Sequence, residues 1–459
     1  MLPINKKWSI VLLMLSQLAV LCSCKKYLDA KSDQSLTIPN SLTDLQSLMD
    51  NYSYLNSLDP GDDEISADNY YLTNADWSTM TEPVRRMYIW EKDHLFMTPA
   101  SEWNVIYRKV YYANTVLESI QKIDRNVSNQ VDWDYIKGQA LFFRAKSFLH
   151  IAFTWSLAYD KVTAASDLGI PLRLNSDFNI PSARSTVEQT YDQIIRDLKE
   201  SMQLLVITPK HVMRPSRPAA YALLARAYLS MRKYDSAFRY SDLCLQLKNE
   251  LMDYNVRGNG INSSGSYTFQ EFNPEVIFYS TVSTPAPLKN SIAKIDSNLY
   301  KSYASDDLRK TLFFKNNNNG TFGFKGGYSG NGGLFTGMAI DEVYLMRAEC
   351  FARAGNVTSA MEDLNFLLEK RWKTGSFSPV GAINAADALE KILMERRKEL
   401  LMRGLRWMDI KRLNKEGAQI TLKRVINGQN YLLFPNDLRY ALPIPEDVIT
   451  LSGMQQNYR

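Results

Sequence analysis

Between residues 218 and 247 the apolar positions fall into two runs at helical spacing. Ala220, Leu223, Leu224, Ala227, Tyr228 and Met231 stand at i, i+3, i+4, i+7, i+8 and i+11, one stripe of a helix. Pro218 opens the run, where a missing N–H costs nothing. After Arg232-Lys233 the spacing returns at Ala237, Tyr240, Ser241, Cys244 and Leu245, so a second helix folds back on the first, with small Ala225 and Ala237 allowing close approach. Residues 341–368 repeat this layout without a gap: Ala348, Phe351, Ala360 and Leu367 stand 123 positions after Ala225, Tyr228, Ala237 and Cys244. The turn Gly355-Asn356-Val357-Thr358-Ser359-Ala360 has the wording of a tetratricopeptide turn. One such hairpin cannot bury both faces, so other helices must stack on it.

The same period marks those partners. Trp103, Ile106, Tyr107, Val110, Ala113, Asn114, Leu117 and Ile120 share a face, and Leu141, Ala145, Phe148, Leu149 and Ala152 mark a helix over about 134–155. Ser185-Thr186-Val187-Glu188 reads as a capping box opening a helix that carries Tyr191, Ile194, Ile195, Leu198 and Met202. Lys391, Glu395, Glu399 and Arg403 follow at i, i+4, pairing Lys391 with Glu395 and Glu399 with Arg403 in a structural ion-pair network on a helix that Gly404 ends. Arg406-Trp407-Met408-Asp409 opens the next helix, and Pro443-Ile444-Pro445 starts an extended tail.

Two stretches lack helical rhythm. From about residue 25 to 101 the text is polar and aromatic: Asp59 to Glu64 reads as a solvated acidic turn, without the alternation of a calcium loop. Asn69, Tyr70 and Tyr71, then Asp76 and Trp77, read as surface or pocket residues. Between 253 and 337, Glu275 to Ser280 suggests a strand, and 316–337 holds eight Gly among Phe322, Phe324, Tyr328 and Phe335. That run lacks the Gly-Lys-Ser/Thr ending of a phosphate loop and any GxGxxG, so it is expected to be a loop or loose hairpin.

Composition narrows the classes. With 459 residues and 45% hydrophobic content the chain can bury a large core. A formal charge of +5, two units of it in Lys6-Lys7, is too weak for a nucleic-acid surface. The aromatic content, 26 Tyr, 8 Trp and 19 Phe, exceeds what helix cores ask for.

Lys6-Lys7 precede an apolar run, Trp8 to Leu21, too short to span a bilayer but right for an export signal. It ends in Leu21-Cys22-Ser23-Cys24. Small Ser23 before Cys24 resembles a bacterial lipobox, whereas Cys22 follows bulky Leu21, so lipidation at Cys24 is expected, giving an effectively permanent anchor. Cys244 and Cys350 sit at packing positions and are read as buried free thiols.

A series of short motifs runs in order along the chain, beginning with Cys24-Lys25-Lys26-Tyr27-Leu28-Asp29, Trp103 and Tyr107 with Ala113-Asn114, Gly138-Gln139-Ala140 with Arg144-Ala145, and Gly169-Ile170-Pro171-Leu172. It continues through Tyr191-Asp192-Gln193-Ile194-Ile195, Leu224-Ala225-Arg226-Ala227-Tyr228, Asn273-Pro274-Glu275-Val276-Ile277 and Arg347-Ala348-Glu349. Glu395-Arg396-Arg397-Lys398-Glu399, Arg406-Trp407 with Asp409, Leu442-Pro443-Ile444-Pro445 and Gln456-Asn457 complete it. In that order, across more than 400 positions, the chain resembles the SusD/RagB nutrient-uptake lipoproteins of the Bacteroidetes outer membrane. Arg403 and Leu405 stand where the family usually has Glu and His, and its terminal Pro-Gly is missing. The resemblance implies a mainly α fold, tetratricopeptide-type hairpins with long loop inserts and a few short strands. The expected layout is a signal peptide at 1–23, an N-terminal SusD-like region at 24–250 and a RagB/SusD region at 251–459, packed as one unit. It further implies a lipid-anchored protein of the outer membrane, facing the exterior, that binds an oligosaccharide, or in some members a peptide, and passes it to a SusC-like TonB-dependent transporter. No nucleic acid, cofactor or metal is implied.

Two other classes compete. A glycosidase needs paired carboxylates in a cleft, for which Asp62, Asp63, Glu64, Asp306 and Asp307 are available; there is no GxSxG or HExxH, and His94, His150 and His211 are the three histidines, so no enzyme is expected. A scaffold binding only protein is the other. For a sugar, flat aromatics serve the C–H face and Asn, Asp or Arg the hydroxyl rim. Trp77 is the first candidate, then Tyr70 and Tyr71 with Asn69 and Asp76, and Tyr267, Phe322 and Tyr328 in the second loop region. The alternative for Trp77 is that it pins a loop to the scaffold.

Overall fold

Helical periodicity translates directly into helices over the scaffold. The computed structural model describes residues 39–99, 101–256, 258–282 and 284–459, so the leader and Cys24 lie outside it. Eight helices pack each against the next in chain order: α1 (Ser101–Ile120), α2 (Gln130–Trp155), α3 (Val187–Leu204), α4 (Arg217–Ser230), α5 (Tyr234–Leu247), α6 (Ile340–Arg353), α7 (Val357–Glu369) and α8 (Ala385–Glu399). The two hairpins start in register, α4 with α6 and α5 with α7. Ala225, Ala237, Ala348 and Ala360 are all fully buried, as close helix packing requires. Between the hairpins, Phe238 of α5 meets Phe351 of α6 at 4.9 Å. Gly138 marks the α2–α3 crossing: a Cβ there would lie 3.0 Å from Leu204 Cβ, and Ser201 donates to the Gly138 carbonyl at 2.8 Å. No helix among the described residues is long and apolar enough to cross a membrane, and Cys244 and Cys350 are buried free thiols.

Over this array lies a layer of short elements. Six two-stranded antiparallel sheets are present among the described residues. Val276–Phe278 pairs with Met338–Ala339, Thr281–Val282 with Leu334–Phe335, Phe314–Asn316 with Phe322–Phe324, and Tyr70–Tyr71 with Lys294–Ile295. The glycine-rich run is thus partly a hairpin and partly the return strands of the segment after Asn273.

The structure corrects several expectations. Residues 39–99 are not simply loop: Leu42–Met49, Tyr52–Leu55, Asp62–Ser66, Asn74–Ser78 and Glu82–Tyr88 are short helices, too brief to show a period. The acidic run is not solvated, for Asp59, Asp62, Asp63 and Glu64 are all buried. The capping box is Thr186 with Gln189, one residue later than read. The helix ahead of Gly404 already ends at Glu399, and Lys391 pairs with Asp387 rather than Glu395. Glu399 binds Arg309 and Arg371 from distant segments, while Arg403 binds Asp341. A hairpin, Leu422–Ile426 with Gln429–Leu433, turns on Asn427-Gly428 at positive φ. The tail contains a helix, Glu446–Ser452.

Candidate ligand site

The layer encloses a cavity of about 540 Å³. Thr281 and Val282, with Leu334 paired opposite Val282, form one wall, and the turn through Leu288, Lys289, Asn290 and Ser291 forms another. Tyr267, 38% exposed, supplies an open aromatic ring, and Phe324 an apolar wall. Gly323 is needed here, since a Cβ on it would lie 2.4 Å from the Asn290 carbonyl, and Gly332 lets the Tyr267 hydroxyl sit where a Cβ would come within 2.9 Å of it. Asn331 Oδ1 accepts from the Gly333 amide at 2.7 Å, and Thr284 Oγ1 donates to the Gly332 carbonyl at 2.6 Å, which fixes the loop. The side chains of Lys289 and Asn290 make no hydrogen bond within the described residues, so their donors are open to a ligand. An aromatic face with amide, hydroxyl and ammonium groups suits a neutral, hydroxyl-rich molecule. A smaller cavity of about 230 Å³ adjoins it at Leu58 and Val282.

Behind the cavities lies the buried acidic helix. Burial alone would raise the Asp59 carboxyl, but the ammonium groups of Lys109 and Lys146 hold it far below the usual range. Its backbone amide binds the Thr281 carbonyl at 3.0 Å, so this pair anchors the cavity wall to α1 and α2. Asp62 and Asp63 form no ion pair with a lysine or arginine among the described residues and are pushed well up by burial and neighbouring carboxylates. Glu64 is also raised by burial, yet accepts from Asn69 Nδ2 and the Gly404 amide, both at 2.9 Å. Four of the five carboxylates considered for a hydrolase, Asp62, Asp63, Glu64 and Asp307, are no more than 3% exposed.

The structure does not gather the candidate aromatics in one place. Tyr267 lines the cavity. Tyr70 is a core residue, 1% exposed, its hydroxyl donating to the Ile65 carbonyl at 2.9 Å, and Asn69 is buried against Glu64. Tyr328 is fully buried and donates to Glu275 at 2.9 Å. For these three the loop-surface expectation is corrected, because strand pairing and buried carboxylates draw them inward. Phe322 is stacked on Tyr300 at 3.6 Å. Tyr71 is half-buried in the pairing with Lys294. Asp76 caps with Thr73 and lies 3.3 Å from Lys294. Trp77 is half-buried in the helix Asn74–Ser78, its indole donating to the Arg85 carbonyl at 3.3 Å under the Arg85 guanidinium, 5.4 Å from the ring centre. It does not line the cavity, which favours the loop-pinning role. Lys289, Asn290 and Asn331 were missed; the one hint was the Asn331-Gly332-Gly333 turn, which carries no chemistry of its own.

Comparison with known proteins agrees with the architecture. Residues 26–229 match the family model described as starch-binding associating with outer membrane, and residues 313–459 match that of the SusD family. A SusD-like protein of Formosa agariphila is 35% identical over 112 residues, 23% of this chain; the match spans only 22% of that relative's length. A SusD superfamily protein of Bacteroides thetaiotaomicron superposes with a TM-score of 0.74 at 22% identity, over 91% of this chain and 100% of that one. A SusD-like carbohydrate binding protein of Bacteroides vulgatus gives 0.65 at 22% identity, over 90% and 97%. With its N-terminal part and its last third matched by family models and the fold shared nearly end to end, the chain belongs to the SusD/RagB family, whose members are associated with the outer membrane.

Proposed function

We propose that this protein is a lipid-anchored outer-membrane protein that binds an oligosaccharide nutrient at the Tyr267 cavity and delivers it to a SusC-like TonB-dependent transporter, without catalysing a reaction. The observation that carries this reading is the cavity itself: an exposed Tyr267 ring beside the free side chains of Lys289 and Asn290, on a glycine loop whose own polar groups are already bonded. Family membership supports the class of ligand, and the lipobox at Cys24 supports the anchor. The two regions are read as acting as one unit, a reading supported among the described residues by the pairing of Arg226 of α4 with Glu342 of α6 across the expected boundary at 2.6 Å.

Calorimetric titration of the full chain, starting with soluble starch oligosaccharides and extending to other neutral glycans, tests the binding. Saturable heat without released reducing ends is expected; absence of binding across the series, or turnover, contradicts the reading. Cys24→Ser should abolish labelled palmitate uptake and membrane sedimentation, and persistent lipidation would move the anchor elsewhere.

A further inference from the structure

Beside α1 there is another cleft, of about 280 Å³, that shares no lining residue with the Tyr267 cavity. Tyr107 and Tyr111, one turn apart on α1, form one wall; the loop 172–182 and the helix Glu446–Ser452 form the others. The loop is held in shape before any ligand arrives. Asn114 donates through Nδ2 to the carbonyls of Arg173 and Asn175 at 2.8 and 2.9 Å. Glu118, one turn further along α1, accepts from the Ser176 amide at 2.7 Å and from its hydroxyl. The Arg173 guanidinium donates to the Asp177 and Ile180 carbonyls, so it is turned to the loop's own backbone.

One acceptor in these walls is left over. Asn175 Oδ1 is buried and has no donor within the described residues, an arrangement that is costly unless something supplies a hydroxyl. At the rim, Phe178 stands 83% exposed on the clamped loop and Tyr111 is 47% exposed on the helix. Open rings lining both walls with an unfilled acceptor between them match a pyranose, which has a C–H face and a rim of hydroxyl donors.

We propose that this cleft is a second sugar-ring site, stacking the ring on Tyr111 and Phe178 and accepting a ligand hydroxyl at Asn175 Oδ1. It rests on the oligosaccharide reading above and gives the protein two separate contacts for one long glycan or for two chains. The test is saturation-transfer NMR on the full chain in a sugar-free detergent, with the methyl pyranosides of glucose, galactose and mannose as probes. The variants are Tyr267→Ala, Tyr111→Ala with Phe178→Ala, and all three together; the two cleft rings are exposed, so melting curves should not move. Ring-proton saturation should survive Tyr267→Ala and disappear only in the triple variant. If Tyr267→Ala alone abolishes it, the cleft is not a site while the proposed function stands. If the cleft pair alone abolishes it, the cleft is supported and the Tyr267 cavity fails. If the unsubstituted protein gives no saturation with any probe, both are overturned.

Discussion

The array and the layer above it are fastened by different means. Within α4, α5 and α7 the contacts are mostly Ala, Leu, Met and aromatic side chains, each large one stabilising by roughly 1.5–3 kcal/mol when fully buried. In the layer, the largest buried side chains include Arg309, Arg371 and Arg412, no more exposed than those leucines, and Arg412 shares Asp409 with Arg396 of α8. Arg309 bridges Asp307, Glu395 and Glu399, and Arg371 bridges Glu275 and Glu399. The array adds a few such pairs between its own helices, Arg144 of α2 on Asp197 of α3 and Arg226 of α4 on Glu342 of α6, and others where the layer docks: Glu349 of α6 on Arg412, Asp341 on Arg403. Apolar contact tolerates sliding, whereas a guanidinium fork on a carboxylate fixes distance and angle. Loops that must present a binding surface cannot bury a large core of their own, so directional pairs position them instead. Such pairs add little net stability over apolar substitutes, but breaking one leaves a buried charge.

Glu399→Ala should break this contrast most severely. It removes one acceptor from each of two fully buried arginines, at a cost on the order of 3–5 kcal/mol measured by chemical denaturation. Ala225→Leu or Ala348→Leu probes the array, where overpacking should cost about 1–3 kcal/mol; an unchanged melting temperature would refute the close helix packing. Trp77→Ala should cost roughly 1 kcal/mol, below the value for a fully buried ring, with ligand affinity unchanged because the indole faces Arg85. Asp62→Asn is the subtlest. Burial, with Glu102 and Asp63 near, raises the Asp62 carboxyl, so the folded chain keeps that proton to higher pH than the unfolded chain does. Its contribution to stability is full below the unfolded value, about 3.9, and is lost as pH rises through the folded value. Asn cannot ionise, so thermal melts of the variant should gain on the natural protein as pH rises from about 4 toward neutrality.

The contrast also explains what could be read from sequence. Ala225, Tyr228 and Ala237 repeat 123 positions later because a helical hairpin has a fixed period, and that period is visible in one dimension. Glu399 pairs with Arg309 and Arg371, 90 and 28 positions away, where a helical reading offered Arg403 four residues on. Asp62 to Glu64 read as solvated because acids usually are; distant parts of the chain cover that segment, among them α2, the helix Glu82–Tyr88 and the return through Gly404 and the helix from Arg406. Aromatic loop residues divided for the same reason. Nothing local separates Tyr70, buried by strand pairing, from Tyr267, left open beside a glycine turn. The Asn427-Gly428 turn has a legible hairpin signal, but its flanking strands are short, and only Leu422–Ile426 alternates apolar with polar.

The central claim is that the layer presents a sugar site at Tyr267, and titration of Tyr267→Ala with the tightest glycan found for the natural protein tests it most directly. Loss of one stacking face should weaken binding by roughly 1–3 kcal/mol, about 5- to 150-fold in Kd, while the melting temperature stays where it was, because the ring is open to solvent. Unchanged affinity, or affinity lost together with the fold, would contradict the account.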